Sequence, residues 1–268
     1  MPSDDRLLLT FDGFNIVRRV HGAIPGDDTA AKAEGAVRSS IGTFKRLLKK
    51  HKPTHVAAAF DHGGETWRHR LYPQYHAGRK PMSEHLRDQL PNLFQQLEDL
   101  GITVLSVPDV EADDVIGTLV TKWWSAGKGA AIVSTTDKDL AQLMALSDLI
   151  RVYDQFKDAF VTEEDLLEKF CVKSALLGDC LSLMSDTVDG IPGVHKVGRK
   201  TAGKWLEQYG SLEGVLANAD KLTGVVGQNL REGVELVHLS RKLVTLKTDV
   251  QLNITWNRLA YQQPAIAA

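Results

Sequence analysis

Three carboxylates stand within four positions at the start of one amphipathic stretch. Glu111, Asp113 and Asp114 are followed by apolar residues at helical spacing from Val115 to Trp123, a pattern that predicts the first turns of a helix. Acidic side chains near a helix N-terminus interact favourably with the helix dipole, so an ordinary solvated helix start explains this motif when it is taken alone. A chemical role becomes the better interpretation only if other carboxylates converge on the same place.

The elements around this stretch predict such convergence. The predicted strands are 6–11, 54–60, 102–106, 130–134 and 149–153. The helical patterns between them are 28–50, 83–100, 112–126 and 139–146. Strands that alternate with helices predict an α/β fold, in which a mostly parallel central sheet is flanked by helices.

Ligands bind such sheets beyond the carboxyl ends of the strands. The aspartates found there are Asp12, Asp61, Asp137 and Asp139. Each one alone is as readily explained as a turn or helix-capping residue. Because all of them share one topological position, we expect them to form a cluster with the acids of the helix start.

A cluster of so many carboxylates requires compensation. Like charges a few ångströms apart raise each other's pKa or bind a cation. An all-oxygen site without His or Cys ligands suits Mg²⁺ or Mn²⁺ better than Zn²⁺. Two such ions about 4 Å apart can hold the attacking and leaving oxygens of a phosphodiester during its hydrolysis.

Two basic segments are concealed by the net charge of −2. The first, 62–82, interrupts the α/β pattern and interleaves Trp67, Tyr72 and Tyr75 with Arg and His. Basic side chains neutralise phosphates, and aromatic rings stack on unpaired bases. An ordinary surface excursion with buried aromatics is the alternative, although insertions of this length are usually functional or disordered.

The second basic segment, 190–204, lies in a region of helical patterns that begins after residue 160. The predicted helices there are 162–170, 173–184, 200–208, 211–218 and 228–246. Gly190, Pro192, Gly193 and Gly198 predict a tight turn between helices, and small residues let a phosphate approach the backbone N–H groups. We expect a helix-turn-helix variant that grips the sugar–phosphate backbone without reading bases.

Composition excludes several other classes of protein. The chain has no apolar run of eighteen or more residues, so no membrane partner is expected. Its N-terminus does not resemble a secretory signal, and its two cysteines are too few for a disulfide framework, which together predict a cytoplasmic protein. The carboxylates and the basic segments together predict a metal-dependent nuclease, most simply a monomer.

The ordered set of motifs resembles the 5′-nuclease, or flap endonuclease, family. It is similar to the 5′-3′ exonuclease domain of bacterial DNA polymerase I and to standalone members of the exonuclease IX type. The motifs are Asp12-Gly-x-Asn15, Phe60-Asp61, Tyr75-x-x-x-Arg79, Glu111-Ala-Asp-Asp114, Ser134-Thr-x-Asp137-Lys-Asp139-Leu-x-Gln142-Leu, Asp186-x-x-Asp189-Gly-Ile-Pro-Gly-Val and Val197-Gly-x-Lys-Thr-Ala202.

The resemblance implies the architecture of the whole chain. Residues 1–160 would form a PIN-like nuclease core that includes a helical arch at 62–90. Residues 161–268 would form a helical DNA-binding region, with a helix–three-turn–helix at about 184–210. The implied substrate is DNA with a 5′ flap or a 5′ single-stranded end. Since no polymerase domain is evident, any polymerase or replication partner would act in trans.

The resemblance also implies roles for the carboxylates. The first metal site would be built from Asp61, Glu111, Asp113 and Asp139, with Asp12 nearby. The second site, or a bridge to it, would use Asp114, Asp137, Asp186 and Asp189. The implied activity is two-metal phosphodiester hydrolysis, which cuts 5′ flaps or removes nucleotides from 5′ ends.

Further roles are implied for the arch and the turn. Tyr75 and Arg79 match strand-contacting positions of the arch, where relatives carry Lys in place of His76, so the role of that cation would fall to Arg79 or Lys80. A K⁺ ion would bind backbone carbonyls near Val194 and Val197. The expected DNA-binding residues are Arg68, Arg70, His76, Lys196, Gly198, Arg199, Lys200 and Thr201.

Two other functions remain open from the sequence. The first is a DNA-junction or flap-binding protein with weak catalysis, which His76 and the replacement of Pro-Gly by His195-Lys196 would favour. The second is a PIN-like ribonuclease, against which the long insertion and the duplex-gripping turn argue.

Overall fold

A six-stranded sheet forms the centre of the molecule. The computed structural model describes residues 6–262, so 1–5 and 263–268, the outer ends of the two predicted regions, lie outside the described residues. The strands are β1 (Leu7–Asp12), β2 (His55–Ala59), β3 (Thr103–Leu105), β4 (Ala130–Ser134), β5 (Ile150–Asp154) and β6 (Ala159–Phe160). Their order is β3-β2-β1-β4-β5-β6, and only β5 and β6 pair antiparallel. The mostly parallel α/β sheet is therefore confirmed, and the two-residue β6 was missed because so short a strand leaves no periodicity.

Helices cover both faces of the sheet. The first half of the chain contains α1 (Gly13–Ala23), α2 (Ala30–His51), α3 (Trp67–Leu71), α4 (Glu84–Asp88), α5 (Leu90–Asp99) and α6 (Ala112–Ser125). Successive residues of β1 point to opposite faces, so Leu8 joins the core beneath α6 and Leu9 joins the core beneath α2. The sheet thus separates two apolar cores, and its carboxyl edge is left open between them.

The predicted helix over 83–100 is wrong as a single element. It is divided into α4 and α5 at Gln89, where Pro91 stands in the first turn of the second helix. The predicted helical arch is also wrong in detail, because α3 and α4 are short and residues 72–83 between them form no helix. Pro73 and Pro81 disfavour a helix there, and His76 adopts a positive φ of 56°. The predicted helix over 139–146 is a 3₁₀ helix, Asp139–Leu146.

Helices of the second half pack mainly against one another. They are α7 (Glu163–Phe170), α8 (Leu177–Leu183), α9 (Arg199–Tyr209), α10 (Leu212–Ala217), α11 (Gly224–Glu232), α12 (Val234–Val244) and α13 (Trp256–Leu259). Helix α8 also packs against the 3₁₀ helix Asp139–Leu146. The single helix predicted over 228–246 is instead α11 and α12, which meet at Gly233. The predicted helix over 173–184 is a short 3₁₀ turn, Ser174–Leu176, followed by α8.

The chain returns to the α/β core after α12. The backbone N–H of Lys247 donates to Asp114 at 2.9 Å, and the N–H of Tyr261 donates to the carbonyl of Thr54 at 2.8 Å. This segment therefore ties the helical half of the molecule to α6 and to the edge of the sheet. Within residues 6–262, none of the helices is both long and apolar enough to cross a membrane.

Candidate active site

A cleft of about 880 Å³ opens at the carboxyl ends of β1, β2 and β4. Its acidic wall is lined by Asp12, Asp61, Glu111, Asp113, Asp137, Asp139 and Asp189. The structure therefore brings together the acids that follow three different strands with two from the start of α6. The opposite rim is basic and comes from α1 and the arch segment 72–83: Arg18, Arg19, His76, Arg79 and Lys80.

Local hydrogen bonds fix the acids at the strand ends. Asp12 caps α1 by accepting from the backbone N–H of Asn15 at 3.2 Å, and its other oxygen accepts from the hydroxyl of Thr135 at 2.8 Å. Asp61 accepts from the N–H of Ala112 at 2.9 Å, which joins the end of β2 to the start of α6. These bonds hold the carboxylates in place before any ligand binds.

Glu111 is held by three side chains of the insertion that follows β2. Its oxygens accept hydrogen bonds from Arg68 Nη1 at 3.0 Å, from the Tyr75 hydroxyl at 3.1 Å and from the Thr66 hydroxyl at 3.2 Å. Burial, chiefly, and then the charge of Glu111 raise the pKa of Tyr75, so its hydroxyl keeps the proton that it donates. Tyr75, predicted to contact the nucleic acid strand, is mostly buried, lines the cleft and holds Glu111 in place.

The prediction that Asp114 binds a metal ion is wrong in this structure. Asp114 is fully buried and turned away from the cleft. Its two oxygens accept from Arg68 Nη1 and Nη2 at 2.7 and 2.8 Å, from the Trp67 indole N–H at 2.9 Å and from the N–H of Lys247. Adjacent residues on a helix point about 100° apart, so Asp113 faces the cleft while Asp114 faces the core.

The prediction that Arg68 binds DNA is also wrong, because its side chain is buried. Its guanidinium is buried against Asp114 and Glu111, and it also donates to the carbonyls of Leu243 and Thr245 at 2.7 and 3.2 Å. Arg70, by contrast, is exposed and pairs with the exposed Asp109. Arg68 is therefore a structural cation, and Arg70 remains available to solvent.

The carboxylates of the cleft perturb one another strongly. Burial and the neighbouring Asp137 raise the pKa of Asp12 to about 7 and that of Asp139 to about 7. Burial, Asp137 and Asp12 also raise the pKa of Asp113 well above its usual range. Oxygen Oδ1 of Asp139 is buried without a hydrogen-bond partner among residues 6–262. Buried, mutually repelling carboxylates with a free oxygen are what a cation would stabilise.

The donor set fits a divalent cation in its chemistry. All candidate ligands are carboxylate oxygens, which hard cations such as Mg²⁺ and Mn²⁺ prefer. Within the described part of the chain, however, no three His, Cys, Asp or Glu side chains are gathered closely enough to hold an ion as they stand. Binding therefore requires the carboxylates to close in from the positions that their hydrogen bonds now give them.

Asp186 and Asp189 form a separate pair beside this cluster. Lys138 Nζ lies 3.0 Å from Asp186 Oδ2 and 3.0 Å from Asp189 Oδ2, and Arg79 Nη2 lies 2.7 Å from Asp189 Oδ1. Burial alone would raise both pKa values, but these cations, together with His76 at Asp189, outweigh it and lower them. Asp189 lines the main cleft, whereas Asp186 lines a smaller adjoining cavity.

The arch segment docks directly onto the loop that carries this pair. The backbone N–H of His76 donates to the carbonyl of Asp189 at 3.1 Å, and the imidazole of His76 stacks on Tyr75 at 3.7 Å between ring centroids. Gly190 has a φ of 73°, and a Cβ there would stand 2.5 Å from the carbonyl oxygen of Gln74. Glycine is therefore required for this close approach.

The basic turn before α9 is exposed as predicted. Lys196, Gly198, Arg199 and Lys200 are solvent-exposed, and Thr201 is half-buried with its N–H bonded to the Gly198 carbonyl. Val194 and Val197, predicted to offer carbonyls to K⁺, have buried side chains, and the carbonyl of Val194 accepts from the N–H of Val197 at 3.0 Å. The turn thus presents positive charge and free backbone at a helix N-terminus.

The sequence patterns gave no structural role to several residues of the site, although Asn15 and Lys138 belong to the recognised motifs. Asn15 accepts from the N–H and the hydroxyl of Thr136 at 3.1 and 3.0 Å, so it joins β1 to β4. Arg18 and Arg19 face the cleft from α1, one to two turns after Asp12. Their spacing from Asp12 could have indicated this, because six and seven residues correspond to about two turns of a helix. The bridging position of Lys138 could not have been inferred, because its partners are about fifty residues away.

An acidic cleft beyond the strands of a parallel sheet, facing a basic rim, is the arrangement of a metal-dependent α/β nuclease. Comparison with known families is more specific. Residues 7–171 match the family model of the 5′-3′ exonuclease N-terminal, resolvase-like domain. Residues 172–267 match the family model of the 5′-3′ exonuclease C-terminal SAM fold. The chain belongs to the 5′-3′ exonuclease family, and the predictions of that family and of a nuclease are confirmed.

Curated relatives carry the same family name over almost their whole length. Flap endonuclease Xni of Shewanella woodyi is 36% identical over 255 residues, which cover 95% of this chain and 98% of the relative. Flap endonuclease Xni of Shewanella loihica is 39% identical over 245 residues, which cover 91% and 93%. The chain is therefore similar to these enzymes in both halves.

Solved structures share the fold at lower identity. The T5 D15 protein co-crystallised with metal ions has a TM-score of 0.74 at 21% identity and covers 91% of this chain and 90% of its own. T5 5′-exonuclease with bound zinc has a TM-score of 0.76 at 21% identity, with the same coverage. The catalytic core of Rad2 in complex with DNA substrate (complex IV) has a TM-score of 0.55 at 15% identity and covers 92% and 80%.

Proposed function

We propose that the protein is a DNA flap endonuclease and 5′-3′ exonuclease that acts with Mg²⁺ or Mn²⁺. The observation that carries this proposal is the cleft itself, in which a cluster of carboxylates lies with Arg79 and Lys80 of the arch segment. A phosphodiester that enters this cleft would meet cations on one side and metal-binding oxygens on the other. The names of the flap endonuclease relatives support the same activity.

The carboxylates around Asp12 are the proposed metal ligands. They are Asp12, Asp61, Glu111, Asp113, Asp137 and Asp139, with Asp189 at the margin of the cleft. Divalent ions held there would activate water and neutralise charge on the phosphate during two-metal hydrolysis. Arg68, Tyr75 and Thr66 would keep Glu111 oriented toward the ions. T5 5′-exonuclease, which shares this fold, binds divalent zinc, and this supports divalent dependence. The all-carboxylate donor set favours Mg²⁺ or Mn²⁺ in this cleft.

The arch segment 72–83 would guide the single strand. Arg79 and Lys80 line the cleft and would bind phosphates, and the half-buried His76 lines the cleft beside them. Because Arg79 pairs with Asp189 in the free protein, an incoming phosphate would compete for its guanidinium. The exposed Arg70 would add a distant contact.

The turn before α9 would hold the duplex portion of the substrate. Exposed Lys196, Arg199 and Lys200, with the backbone at Gly198 and Thr201, would bind successive phosphates without reading sequence. A K⁺ ion bound by the carbonyls near Val194 and Val197 would reinforce that grip. Replication partners such as a polymerase would act in trans in the cytoplasm, where Cys171 and Cys180 would stay reduced.

Cleavage mapping on a 5′-flap duplex tests the proposal. With Mg²⁺ or Mn²⁺ the flap should be released near the junction, and EDTA should abolish release. Asp113→Ala should abolish cleavage yet keep or tighten DNA binding, because it removes negative charge from the cleft. Asp220→Ala, which changes an exposed aspartate outside the cleft, should leave both unchanged.

Two results would favour the alternatives. Tight binding without cleavage at any pH, with either metal, would identify a junction-binding protein. Faster cleavage of an RNA flap than of the matched DNA flap would identify a ribonuclease. Near-normal turnover by Asp113→Ala would refute the proposed metal site.

A further inference from the structure

The acids at the mouth of the cleft fall into two groups with opposite electrostatics. Asp12, Asp113 and Asp139 line the cleft together, and within residues 6–262 none of them accepts a hydrogen bond from a cationic side chain. Asp186 and Asp189 are stabilised as anions, because cationic side chains reach them directly. The first group therefore needs a cation from solution to compensate its charge, whereas cationic side chains of the protein already compensate the charge of the second group.

Lys138 is the cation that bridges the second group. Its ammonium lies 3.0 Å from one oxygen of Asp186 and 3.0 Å from one oxygen of Asp189, and 3.9 Å from Asp139 Oδ1. Oδ1 of Asp186 accepts from the N–H groups of Val188 and Asp189 at 2.8 and 3.2 Å. The two oxygens that face Lys138 are therefore the pair that a metal ion at this position would need.

The backbone fixes Lys138 for this position. It stands between Asp137 and Asp139 at the start of the 3₁₀ helix, where the N–H of Asp139 donates to Asp137 Oδ1 at 2.9 Å. Its side chain is only about a quarter exposed. The ammonium is thus aimed from the end of β4 across the gap to the loop that carries Asp186 and Asp189.

We propose that Lys138 is the built-in cation of the Asp186–Asp189 pair, and that a divalent ion binds this pair only by displacing its ammonium group. This inference rests on the proposed function, two-metal hydrolysis, and it takes Asp186 and Asp189 as ligands of the second ion, the role that the family resemblance implies for them. It makes the two metal positions unequal, because the first ion relieves repulsion whereas the second competes with a lysine. The first ion therefore binds more tightly than the second.

Space for the displaced side chain exists on its other side. Lys138 also lines a cavity of about 140 Å³ together with Asp154 and Asp165. A lysine has four rotatable carbons, so its ammonium can exchange one set of carboxylates for another without a change in the backbone. Displacement therefore does not require a charged group to be left buried and unpaired.

Mn²⁺ titration of the full chain tests the proposal. Isothermal titration calorimetry would compare the wild type with Lys138→Met, which removes the charge and keeps most of the side-chain volume. The weaker of two Mn²⁺ ions should bind roughly tenfold or more tightly in Lys138→Met, because its competitor is gone. Lys138→Arg should restore the weak binding of the wild type.

A matched control uses another bridging lysine. Lys50 Nζ contacts Asp158 Oδ2 at 2.7 Å and the Tyr153 hydroxyl at 2.6 Å, away from the cleft. Lys50→Met and Lys138→Met should both lower the melting temperature in EDTA. When Mn²⁺ is added, only Lys138→Met should regain the melting temperature that it lost relative to the wild type. The melting transition also shows whether the variant has folded.

The outcomes separate this proposal from the proposed function. Unchanged or weaker binding of the second ion in Lys138→Met, or a single ion in both proteins, overturns the role of Lys138 even if flap cleavage is normal. Tighter binding of the second ion in Lys138→Met, together with a wild type that cleaves no flap, would uphold the role of Lys138 and refute the proposed flap cleavage.

Discussion

Arg68 illustrates how one buried side chain supports the site without touching a substrate. Its guanidinium joins Asp114, Glu111 and the carbonyls of Leu243 and Thr245. It thereby fixes a proposed metal ligand and fastens the end of α12 to the start of α6. Loss of this cation would leave the carboxylate of Asp114 buried without its main partner.

Arg68→Met should therefore destabilise the protein by about 3–5 kcal/mol, the usual cost of removing one partner from a buried ion pair. The free energy of unfolding from urea denaturation measures this. Arg70→Met is the matched control, since the exposed pair of Arg70 with Asp109 should be worth about 0–1 kcal/mol. Equal losses in the two variants would contradict the structural role of Arg68.

The carboxylate cluster makes the stability of the metal-free protein depend on pH. The pKa of Asp12 rises on folding from 3.8 to about 7. Between these values the folded state holds a proton that the unfolded state releases, so the contribution to stability is present below about pH 4 and lost as the pH rises through about 7. Burial and the charge of Asp137 raise the pKa of Asp12, and the same two causes raise the pKa of Asp139.

Asp12→Asn should weaken this pH dependence, because the amide does not titrate. In EDTA, the difference in melting temperature between pH 5 and pH 8 should be several degrees smaller in the variant than in the wild type, because a change of about 1 kcal/mol in stability shifts the melting temperature by roughly 2–4 °C. Mg²⁺ should raise the melting temperature of the wild type at pH 8. If Asp12→Asn kept the pH dependence of the wild type, the raised pKa of Asp12 would be contradicted. Asp220→Asn is the control, because it removes the same charge from an exposed position.

The residue scale also shows where sequence reasoning succeeds and fails. Asp12, Asp61 and Asp137 could be placed in the cleft because strand ends of a parallel sheet share one edge. Asp113 and Asp114 could not be distinguished, since periodicity gives their relative directions but not which of the two faces the core. Lys138 has its partners in another element, and local patterns carry no information about such contacts.

At the scale of elements, the arch segment departs most from its prediction. Its basic and aromatic composition indicated an insertion, but Pro73, Pro81 and the positive φ of His76 leave residues 72–83 without a helix. The segment is instead shaped by docking on the Asp186–Gly190 loop. Long-range docking of this kind has no periodic signature, whereas β1, β2 and β4 were predicted almost to the residue because they are buried strands.

Gly190→Ala should disturb this docking. A positive φ strains alanine, and its Cβ would meet the carbonyl of Gln74, so we expect a loss of about 1–3 kcal/mol in stability and faster proteolysis of the arch segment. Limited trypsin digestion after Arg79, with urea denaturation, measures both effects. Gly78→Ala is the control, because a Cβ there meets nothing within 4 Å. Unchanged digestion of Gly190→Ala would show that the close approach does not hold the arch.

At the scale of the whole molecule, the sheet separates two charged surfaces. Helix α2 packs on one core and exposes Lys45 and Lys49, whereas the turn before α9 belongs to the other core and exposes Arg199 and Lys200. The cleft lies at the edge between the two cores. A duplex held at the turn could therefore deliver its single strand to the arch segment without crossing the sheet.

The double variant Arg199→Ala/Lys200→Ala should weaken binding of flap duplexes equally for all sequences, because both side chains would contact phosphates rather than bases. Each phosphate contact contributes about 0.9 to the slope of log affinity against log salt, so the slope should fall by about 2. Fluorescence anisotropy from 50 to 300 mM KCl would measure it. Lys45→Ala/Lys49→Ala removes the same charge from α2 and should flatten the slope less. If both double variants flattened the salt slope equally, the turn would contribute only general charge. A specific grip on the duplex predicts a larger loss of slope for the variant at the start of α9.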